Sequence, residues 1–126
     1  MRIAIIGSRE YPDKDKVIRL LDYFVEQYDD FILVTGGARG VDTWAIDYCG
    51  DNNIDVEIIR PLNPNKKIDY LFRNVEIITK ADLIAAFWDG KSSGTKFVID
   101  YAVGRGNKEL MVYETDMDNG GVDSVY

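Results

Sequence analysis

Val34-Thr35-Gly36-Gly37-Ala38-Arg39-Gly40-Val41-Asp42 is the stretch that decides the fold. An apolar run over residues 31–34 leads into two adjacent glycines, and a third glycine precedes an amphipathic segment from Val41 to Cys49. This pattern predicts a strand, a tight turn and the N-terminus of a helix. Such glycines let an anion approach the free helix amides, and a nearby guanidinium adds positive charge. The candidate anion-binding residues are therefore Gly36, Gly37, Arg39 and Gly40, although a plain glycine-rich bend would have the same sequence.

Composition indicates one globular domain. The chain has 126 residues, of which 46% are hydrophobic and 29% are charged, and this length suits a single core. No apolar run approaches the ~20 residues that cross a bilayer, and the N-terminus lacks the layout of a signal peptide. With one cysteine, Cys49, and no histidine, neither an internal disulfide nor a zinc site nor a histidine-activated nucleophile is expected. We expect a cytoplasmic protein without metal or cofactor, in which Cys49 packs as a small apolar residue.

The net charge restricts the partners that the protein can bind. At −7, the surface as a whole repels phosphate backbones, so general electrostatic binding to duplex nucleic acid is disfavoured. A focused site for one small anionic ligand is still compatible with this charge. Its positive side chains must then lie close together.

The rest of the chain alternates short apolar runs with amphipathic segments. The predicted strands are Arg2–Ile6, Phe31–Thr35, Val56–Ile59, Asp82–Trp88 and Glu109–Tyr113. The predicted helices begin after a cap at Asp13 or Asp15, at Val41, at Asn63-Pro64-Asn65 with the apolar stripe Ile68, Leu71, Phe72, Val75 and Ile78, and after Thr95. Strands alternating with helices of this length predict a right-handed, mainly parallel α/β sheet. From Glu114 the polar sequence predicts a surface loop or disorder.

Three of the loops in this arrangement leave the carboxyl ends of strands, at Gly7, at Gly36 and at Asp89. They must therefore lie on one edge of the sheet. Open α/β sheets bind their ligands at this edge, near the point where the strand order reverses. We expect the three loops to form one ligand-binding crevice.

The first and third loops carry groups that suit an anion. In the first loop, Ser8 can donate a hydrogen bond to a phosphate oxygen and Arg9 can pair with phosphate through two N–H groups. The third loop places hydroxyls and amides at another predicted helix N-terminus, at Ser92, Ser93, Gly94 and Thr95. A solvated arginine and ordinary helix caps are the alternatives.

Five further residues are candidates for contact with the rest of a ligand. Asp42 can accept a hydrogen bond from a ribose hydroxyl, although a carboxylate in the first turn of a helix is favoured in any case. Trp88 can stack on a base and the adjacent Asp89 can accept from its amino or hydroxyl groups, unless the tryptophan is only a lid on the core. Arg73 and Asn74 stand out in an apolar helix and either reach over the ligand edge or are ordinary surface residues. No general base with a defined partner is apparent.

Four motifs together resemble the SLOG superfamily of Rossmann-like proteins, most closely its short YspA-type members. They are Ile6-Gly7-Ser8-Arg9, Val34–Asp42, Arg73-Asn74 and Phe87–Thr95. The resemblance implies a Rossmann-like three-layer sandwich in residues 1–113, with a mainly parallel five-stranded sheet of order 3-2-1-4-5 and a polar tail over residues 114–126. It also implies a pocket for a nucleotide or an ADP-ribose-like signal, a link to phage–host conflict, and self-association as a homodimer or larger homo-oligomer.

Two relatives within this superfamily suggest alternative functions. LOG-type enzymes hydrolyse nucleoside 5'-monophosphates and carry a catalytic glutamate after their Gly-Thr pair. Gly94-Thr95 matches that pair, but Val98 occupies the position of the glutamate and Asp100 lies two residues beyond it, so we lean against an enzyme. The DNA-processing protein A family shares a loop like residues 37–42 and binds single-stranded DNA. The acidic balance opposes that partner, although Arg9, Arg39, Lys91 and Lys96 could form a local basic strip.

Overall fold

A computed structural model of the protein describes residues 1–106, 109–114 and 122–125. Six strands lie in these ranges: β1 (Arg2–Gly7), β2 (Ile32–Thr35), β3 (Val56–Ile58), β4 (Leu83–Trp88), β5 (Glu109–Glu114) and β6 (Val122–Val125). Four helices lie between them: α1 (Lys14–Gln27), α2 (Val41–Asp51), α3 (Lys67–Lys80) and α4 (Ser93–Arg105). None of the helices in the described ranges has the length and apolar character that a bilayer span requires.

The strands form one sheet in the order β3-β2-β1-β4-β5-β6. β1 to β5 are parallel, which confirms the predicted order 3-2-1-4-5. The sixth strand was not predicted: β6 pairs antiparallel with β5, with Val122 opposite Glu114. The predicted polar tail therefore contains a strand at 122–125, and residues 115–121 and 126 of that prediction lie outside the described residues.

The central strands are apolar on both faces because helices cover both sides of the sheet. Ile3 and Ile5 of β1 point into one core with α1 and α2, and that core includes Cys49 as predicted. Ala4 and Ile6 point into a second core with α3 and α4. This alternation confirms the three-layer arrangement.

The observed starts of α1 and α2 agree with the predictions, whereas α4 begins at Ser93, before the predicted position after Thr95, and the start of α3 also differs. The side chain of Asp13 caps α1 by accepting a hydrogen bond from the amide of Lys16 at 3.1 Å. α3 begins at Lys67 and not at the predicted Asn63. The Asn63 carboxamide accepts from the amide of Asn65 at 2.9 Å, and its carbonyl accepts from the amide of Lys66 at 3.0 Å. This local turn competes with helix formation and delays the start.

The predicted apolar stripe of α3 is mostly wrong. Ile68 and Phe72 are 51% and 65% exposed, and Leu71 and Val75 are only half-buried, so Ile78 alone of the stripe is buried. The helix instead buries Asn74, Ile77 and Ile78. The buried face of α3 therefore begins with a polar residue, Asn74, and continues with apolar ones. Its polar end lies at the edge of the sheet where the parallel strands end.

Candidate functional site

A cleft of about 1060 Å³ opens at the carboxyl edge of the sheet. The loops after β1, β2 and β4 line it, together with the first half of α3. The loop after β1 leads to α1 on one face of the sheet, and the loop after β4 leads to α4 on the other. These neighbouring loops diverge and leave a crevice between them, as in other open α/β sheets. The structure therefore brings together the three loops that the sequence places at this edge.

Ser8 joins the first loop to the third. Its side chain is 2% exposed, and its Oγ accepts a hydrogen bond from the amide of Asp89 at 3.1 Å and donates one to Oγ1 of Thr95 at 3.2 Å. Its amide donates to the carbonyl of Phe87 at 2.8 Å. Ser8 therefore fixes the distance between the two walls of the crevice.

The loop after β4 is ordered by its own polar groups. Oδ1 of Asp89 accepts from the amides of Lys91 at 2.9 Å and Ser92 at 2.8 Å. Partial burial opposes ionisation of Asp89, but these two hydrogen bonds and the Ser8 hydroxyl outweigh it and hold the pKa of the carboxyl below its usual value. Ser92 caps α4 by accepting from the amide of Thr95 at 3.3 Å. The third loop is therefore a preformed helix start.

The N-terminus of α4 is the most favourable place in the cleft for an anion. The first amides of a helix have no partner within the helix, and the helix dipole favours negative charge there. A Cβ built on Gly94 would meet nothing within 4 Å, so open space lies over this turn. Ser93, Gly94 and Thr95 all line the cleft.

The glycines of the second loop serve packing as well as the cleft. Gly40 has a φ of 84°, and a Cβ there would lie 2.8 Å from the carbonyl oxygen of Arg9, so the first and second loops touch through bare backbone. Arg39 forms an ion pair with Glu10 of the first loop, and both side chains line the cleft and are mostly exposed. An anionic ligand would compete with Glu10 for this guanidinium.

Arg73 is held under the second loop. Its Nη1 donates to the carbonyl of Gly36 at 2.8 Å, and its Nε donates to Oδ1 of Asn74 at 2.8 Å. A Cβ on Gly36 would lie 2.4 Å from the guanidinium, so this glycine makes room for the arginine. Burial lowers the pKa of Arg73 from its ordinary value and the carboxylate of Asp42 partly offsets this, but an arginine is still charged at neutral pH.

Asp42 is a buried carboxylate at the floor of the cleft. It is 3% exposed, and its Oδ2 accepts from the amide of Ala38 at 3.1 Å. Burial raises its pKa to about 6, against the opposing influence of that hydrogen bond and of Arg73. Oδ1 of Asp42 and Oγ1 of Thr35 are both buried without a hydrogen bond of normal geometry, although the Thr35 hydroxyl and the Gly7 amide are near enough to lower the pKa of Asp42 slightly. Such a group is costly to keep and is more typical of a functional site than of a structural one.

The cleft is locally positive. Its lining contains five cationic side chains, namely Arg9, Arg39, Lys67, Arg73 and Lys91, and three anionic ones, namely Glu10, Asp42 and Asp89. The formal balance of the cleft is therefore positive, whereas the whole chain carries −7. No cluster that could hold a metal ion occurs among the residues that the structure describes.

Comparison with known proteins identifies the family. A family model described as "YAcAr: YspA, cpYpsA-related SLOG family" matches residues 1–63, which is half of the chain. The chain belongs to this SLOG family. The match confirms the resemblance to the SLOG superfamily and covers the first two of the four sequence motifs, at residues 6–9 and 34–42. A search of curated proteins found no match.

Solved structures share the fold of this SLOG chain. DNA processing protein A (DprA) from Streptococcus pneumoniae superposes with a TM-score of 0.75 at 15% identity, over 88% of this chain and 49% of that chain. DNA processing protein A from Helicobacter pylori gives 0.73 at 21% identity, over 95% and 68%. The protein TM1055 gives 0.68 at 19% identity, over 86% and 71%. The chain thus spans about half the length of the Streptococcus pneumoniae protein, and these identities establish the fold alone.

Most of the predicted site residues of the SLOG chain line the cleft. They are Gly7, Ser8, Arg9, Gly36, Arg39, Asp42, Arg73, Asn74, Asp89, Ser92, Ser93, Gly94 and Thr95. Gly37 and Gly40 do not line it: a Cβ on Gly37 would lie 2.9 Å from the Ile58 side chain, so both glycines shape the loop instead.

Trp88, also predicted to contact the ligand, does not line the cleft with the other predicted site residues. Side chains alternate along β4, so Trp88 follows Ala86 toward the α3–α4 core, whereas Phe87 points to the opposite core. Its Nε1 donates to the carbonyl of Ser92 at 2.9 Å, and Lys96 lies 5.9 Å from its ring centre. Trp88 and Lys96 line a separate, smaller groove. Of the four residues of the predicted basic strip, Lys96 is therefore the one that does not line the cleft.

Sequence reasoning predicted Arg73 and Asn74 on the α3 side of the cleft but missed three further residues there. Asn65, Lys67 and Tyr70 line the cleft beside Arg73 and Asn74. The signal was the spacing of residues 70, 73, 74, 77 and 78, which lie on one face of a helix. The residues at 77 and 78 are apolar and face the core, so the polar residues at 70, 73 and 74 continue the buried face toward the ligand edge.

Proposed function

We propose that the cleft binds a nucleotide or a nucleotide-derived signal, such as an ADP-ribose-like molecule. The observation that carries the proposal is the meeting of three strand-end loops around one positive cleft in an acidic protein. The volume of about 1060 Å³ is at the upper end of ligand pockets. A ligand with both a phosphate and a bulky organic part would fit such a site better than inorganic phosphate alone.

In this proposal the phosphate lies at the N-terminus of α4. There it would accept hydrogen bonds from the amides of Ser93 and Gly94 and pair with Arg9, whose side chain lines the cleft. Ser8 and Thr95 are buried and bonded to each other, so their main role is to hold this arrangement in shape. Preorganisation of this kind lowers the entropic cost of binding.

The geometry favours binding over N-glycosidic hydrolysis of the LOG type. Val98, at the position of the LOG glutamate, is fully buried in the apolar core between α4 and the sheet. Asp100 is exposed and forms an ion pair with Lys96 at 2.9 Å, beside the smaller groove and away from the cleft. Neither position offers a carboxylate to a ligand in the cleft.

Single-stranded DNA is the second candidate ligand. The Helicobacter pylori relative is described as having a single-stranded DNA binding mode, and the cleft cations of this chain could contact a backbone phosphate. The net charge of −7 opposes binding of a longer strand. A mononucleotide is therefore the preferred ligand, and DNA binding would require affinity to rise with strand length.

Titration calorimetry with AMP, ADP-ribose and a thymidine oligonucleotide tests the proposal. We expect AMP or ADP-ribose to bind with one site per chain, and Arg9→Gln to weaken binding roughly ten-fold, the effect of losing one charged hydrogen bond. Arg19→Gln is the matched control, because this substitution removes the same charge from the exposed side of α1, away from the cleft. Binding only of the oligonucleotide would support the second candidate. If none of the three ligands binds, the proposal is wrong.

Native mass spectrometry of the protein as purified would add the identity of a retained ligand and the oligomeric state. Self-association and a role in phage–host conflict stay predictions from the family resemblance.

Incubation with AMP followed by a search for released adenine tests the hydrolase alternative. Turnover would contradict the argument from Val98.

A further inference from the structure

The α3 side of the cleft contains an aromatic residue that no sequence motif assigned. Tyr70 is the one aromatic side chain among the described residues that line the cleft. It is half-buried, so part of its surface is open toward the cleft. α3 runs back from the carboxyl edge of the sheet, and therefore its first turns face the loops that carry the anion-binding groups.

The position of the Tyr70 ring is fixed from below. The guanidinium of Arg73 lies 5.3 Å from the ring centre, a cation–π distance. Arg73 is itself held by the carbonyl of Gly36 and the carboxamide of Asn74. A ring that rests on a fixed cation loses little conformational entropy when a ligand stacks on it.

We propose that Tyr70 is the stacking platform for the base of the bound nucleotide, and that Asn65 and Lys67 form the polar margin of this subsite. The inference rests on the proposed function and extends it, because it requires the ligand to contain a planar aromatic ring. Every base offers a π face, so stacking on Tyr70 gives affinity without selecting one base. Asn65 and Lys67 also line the cleft and lie close to Tyr70 in the chain, so their side chains offer polar groups for the edge of that ring.

The subsite replaces the role that the sequence suggests for Trp88. Tryptophan at the end of β4 faces the smaller groove, and its indole N–H is engaged by the carbonyl of Ser92. Tyr70 and the N-terminus of α4 instead line the same cleft. A nucleotide can therefore place its phosphate at one wall and its base at the other.

Comparison of AMP with ribose 5-phosphate isolates the contribution of the base. Stacking on an aromatic side chain is worth about 1–3 kcal/mol per base, so the wild type should bind AMP at least about five-fold more tightly than ribose 5-phosphate. Tyr70→Leu should reduce this advantage to about two-fold or less while the affinity for ribose 5-phosphate stays the same. Tyr70→Phe keeps the ring and should keep the advantage.

Phe72→Leu is the matched control. Phe72 is an exposed aromatic residue on the same helix and does not line the cleft, so its replacement should change neither affinity.

A measurement on the wild type gives a second test that does not depend on the folding of a variant. Nuclear Overhauser effects should connect the adenine H2 or H8 of AMP to the ring protons of Tyr70.

The outcomes separate this inference from the proposed function. If ribose 5-phosphate binds but AMP has no advantage, or if Tyr70→Leu keeps the advantage, the Tyr70 subsite is wrong and the anion site stands. If bound AMP shows no Overhauser effect between its adenine and Tyr70, the Tyr70 subsite is likewise wrong and the anion site stands. If neither compound binds to the wild type, the proposed nucleotide site itself is wrong, and the Tyr70 subsite with it.

Discussion

Asp42 shows how single residues at the cleft are held in states that are unfavourable for stability. Its carboxyl group is almost fully buried, and one of its oxygens has no hydrogen-bond partner of normal geometry. A folded protein tolerates such a group where another requirement outweighs its cost. The nearby guanidinium of Arg73 offsets part of that cost.

Asp42→Asn should stabilise the protein in a pH-dependent way. Burial raises the pKa of Asp42 from 3.8 to about 6 in the folded state. The native state then binds more protons than the unfolded state between these values, so the contribution of Asp42 is present below pH 3.8 and is lost as the pH rises through about 6. Relative to the wild type, the free energy of unfolding of Asp42→Asn should increase by about 1 kcal/mol from pH 5 to pH 7.5.

Urea unfolding at the two pH values measures this difference. Asp47→Asn is the control, because Asp47 lies exposed on the same helix, and its difference from the wild type should stay flat with pH. A flat profile for Asp42→Asn as well would show that the carboxyl of Asp42 is ordinary in the folded protein.

Glu10→Gln should strengthen the binding of an anionic ligand. The ion pair of Glu10 with Arg39 is exposed, and such pairs contribute little to stability, so the unfolding free energy should hardly change. Removal of the competing carboxylate frees the guanidinium and should raise the affinity for AMP roughly two- to five-fold. Calorimetry compares this variant with Glu26→Gln, which makes the same charge change on the exposed side of α1. Weaker binding by Glu10→Gln would indicate that Glu10 itself contacts the ligand.

At the scale of elements, the anion site depends on how α4 begins. Ser92 caps the helix from outside, and the loop before it is held by the carboxylate of Asp89. A glycine in the second position of the helix leaves its backbone bare toward the cleft. The same element therefore provides a stable helix start and access to its amides.

Gly94→Ala should separate these two properties. The added methyl group meets no protein atom within 4 Å, and alanine favours a helix over glycine by about 1 kcal/mol, so the melting temperature should stay equal or rise. Because the methyl group enters the space over the amides, AMP affinity should fall roughly ten-fold, the loss of one charged hydrogen bond. Gly104→Ala is the matched control, since Gly104 also has free space and lies at the far end of α4. Equal AMP affinity in the two variants would remove α4 from the site.

The elements also show which parts of the fold the sequence could predict. Strands such as Leu83–Trp88 are continuous apolar runs. Such a run indicates a buried strand without information from the rest of the chain, so these strands can be predicted from the sequence. The orientation of α3 was not recognised, because Ile68 and Phe72 are apolar but exposed and the buried face begins with polar residues. The sequence did not show on which side of the sheet Trp88 lies, because one residue of register along a strand decides between two opposite faces. Such information depends on tertiary packing.

At the scale of the whole molecule, the fold gives an acidic protein a local positive cleft. The chain has a net charge of −7, yet the loops of three parallel strands and the start of α3 collect five cationic side chains at one edge. Strand order contributes to this concentration, because the neighbouring central strands β1 and β4 send their connections to opposite faces of the sheet. The parallel sheet followed from alternating elements and its strand order from the family resemblance, whereas β6 could not be predicted from a polar segment that lacks an apolar pattern.

Amide NMR shifts during a titration with AMP test the central claim most directly, because they show whether a nucleotide binds and where. The account predicts saturable shifts that are largest at the amides of Ser8, Gly36 and Gly94, one from each loop. The amides of Lys96, Asp100 and Val103, which line the smaller groove, should move little. Shifts confined to that groove, or no shifts at millimolar AMP, ADP-ribose and ribose 5-phosphate, would contradict it.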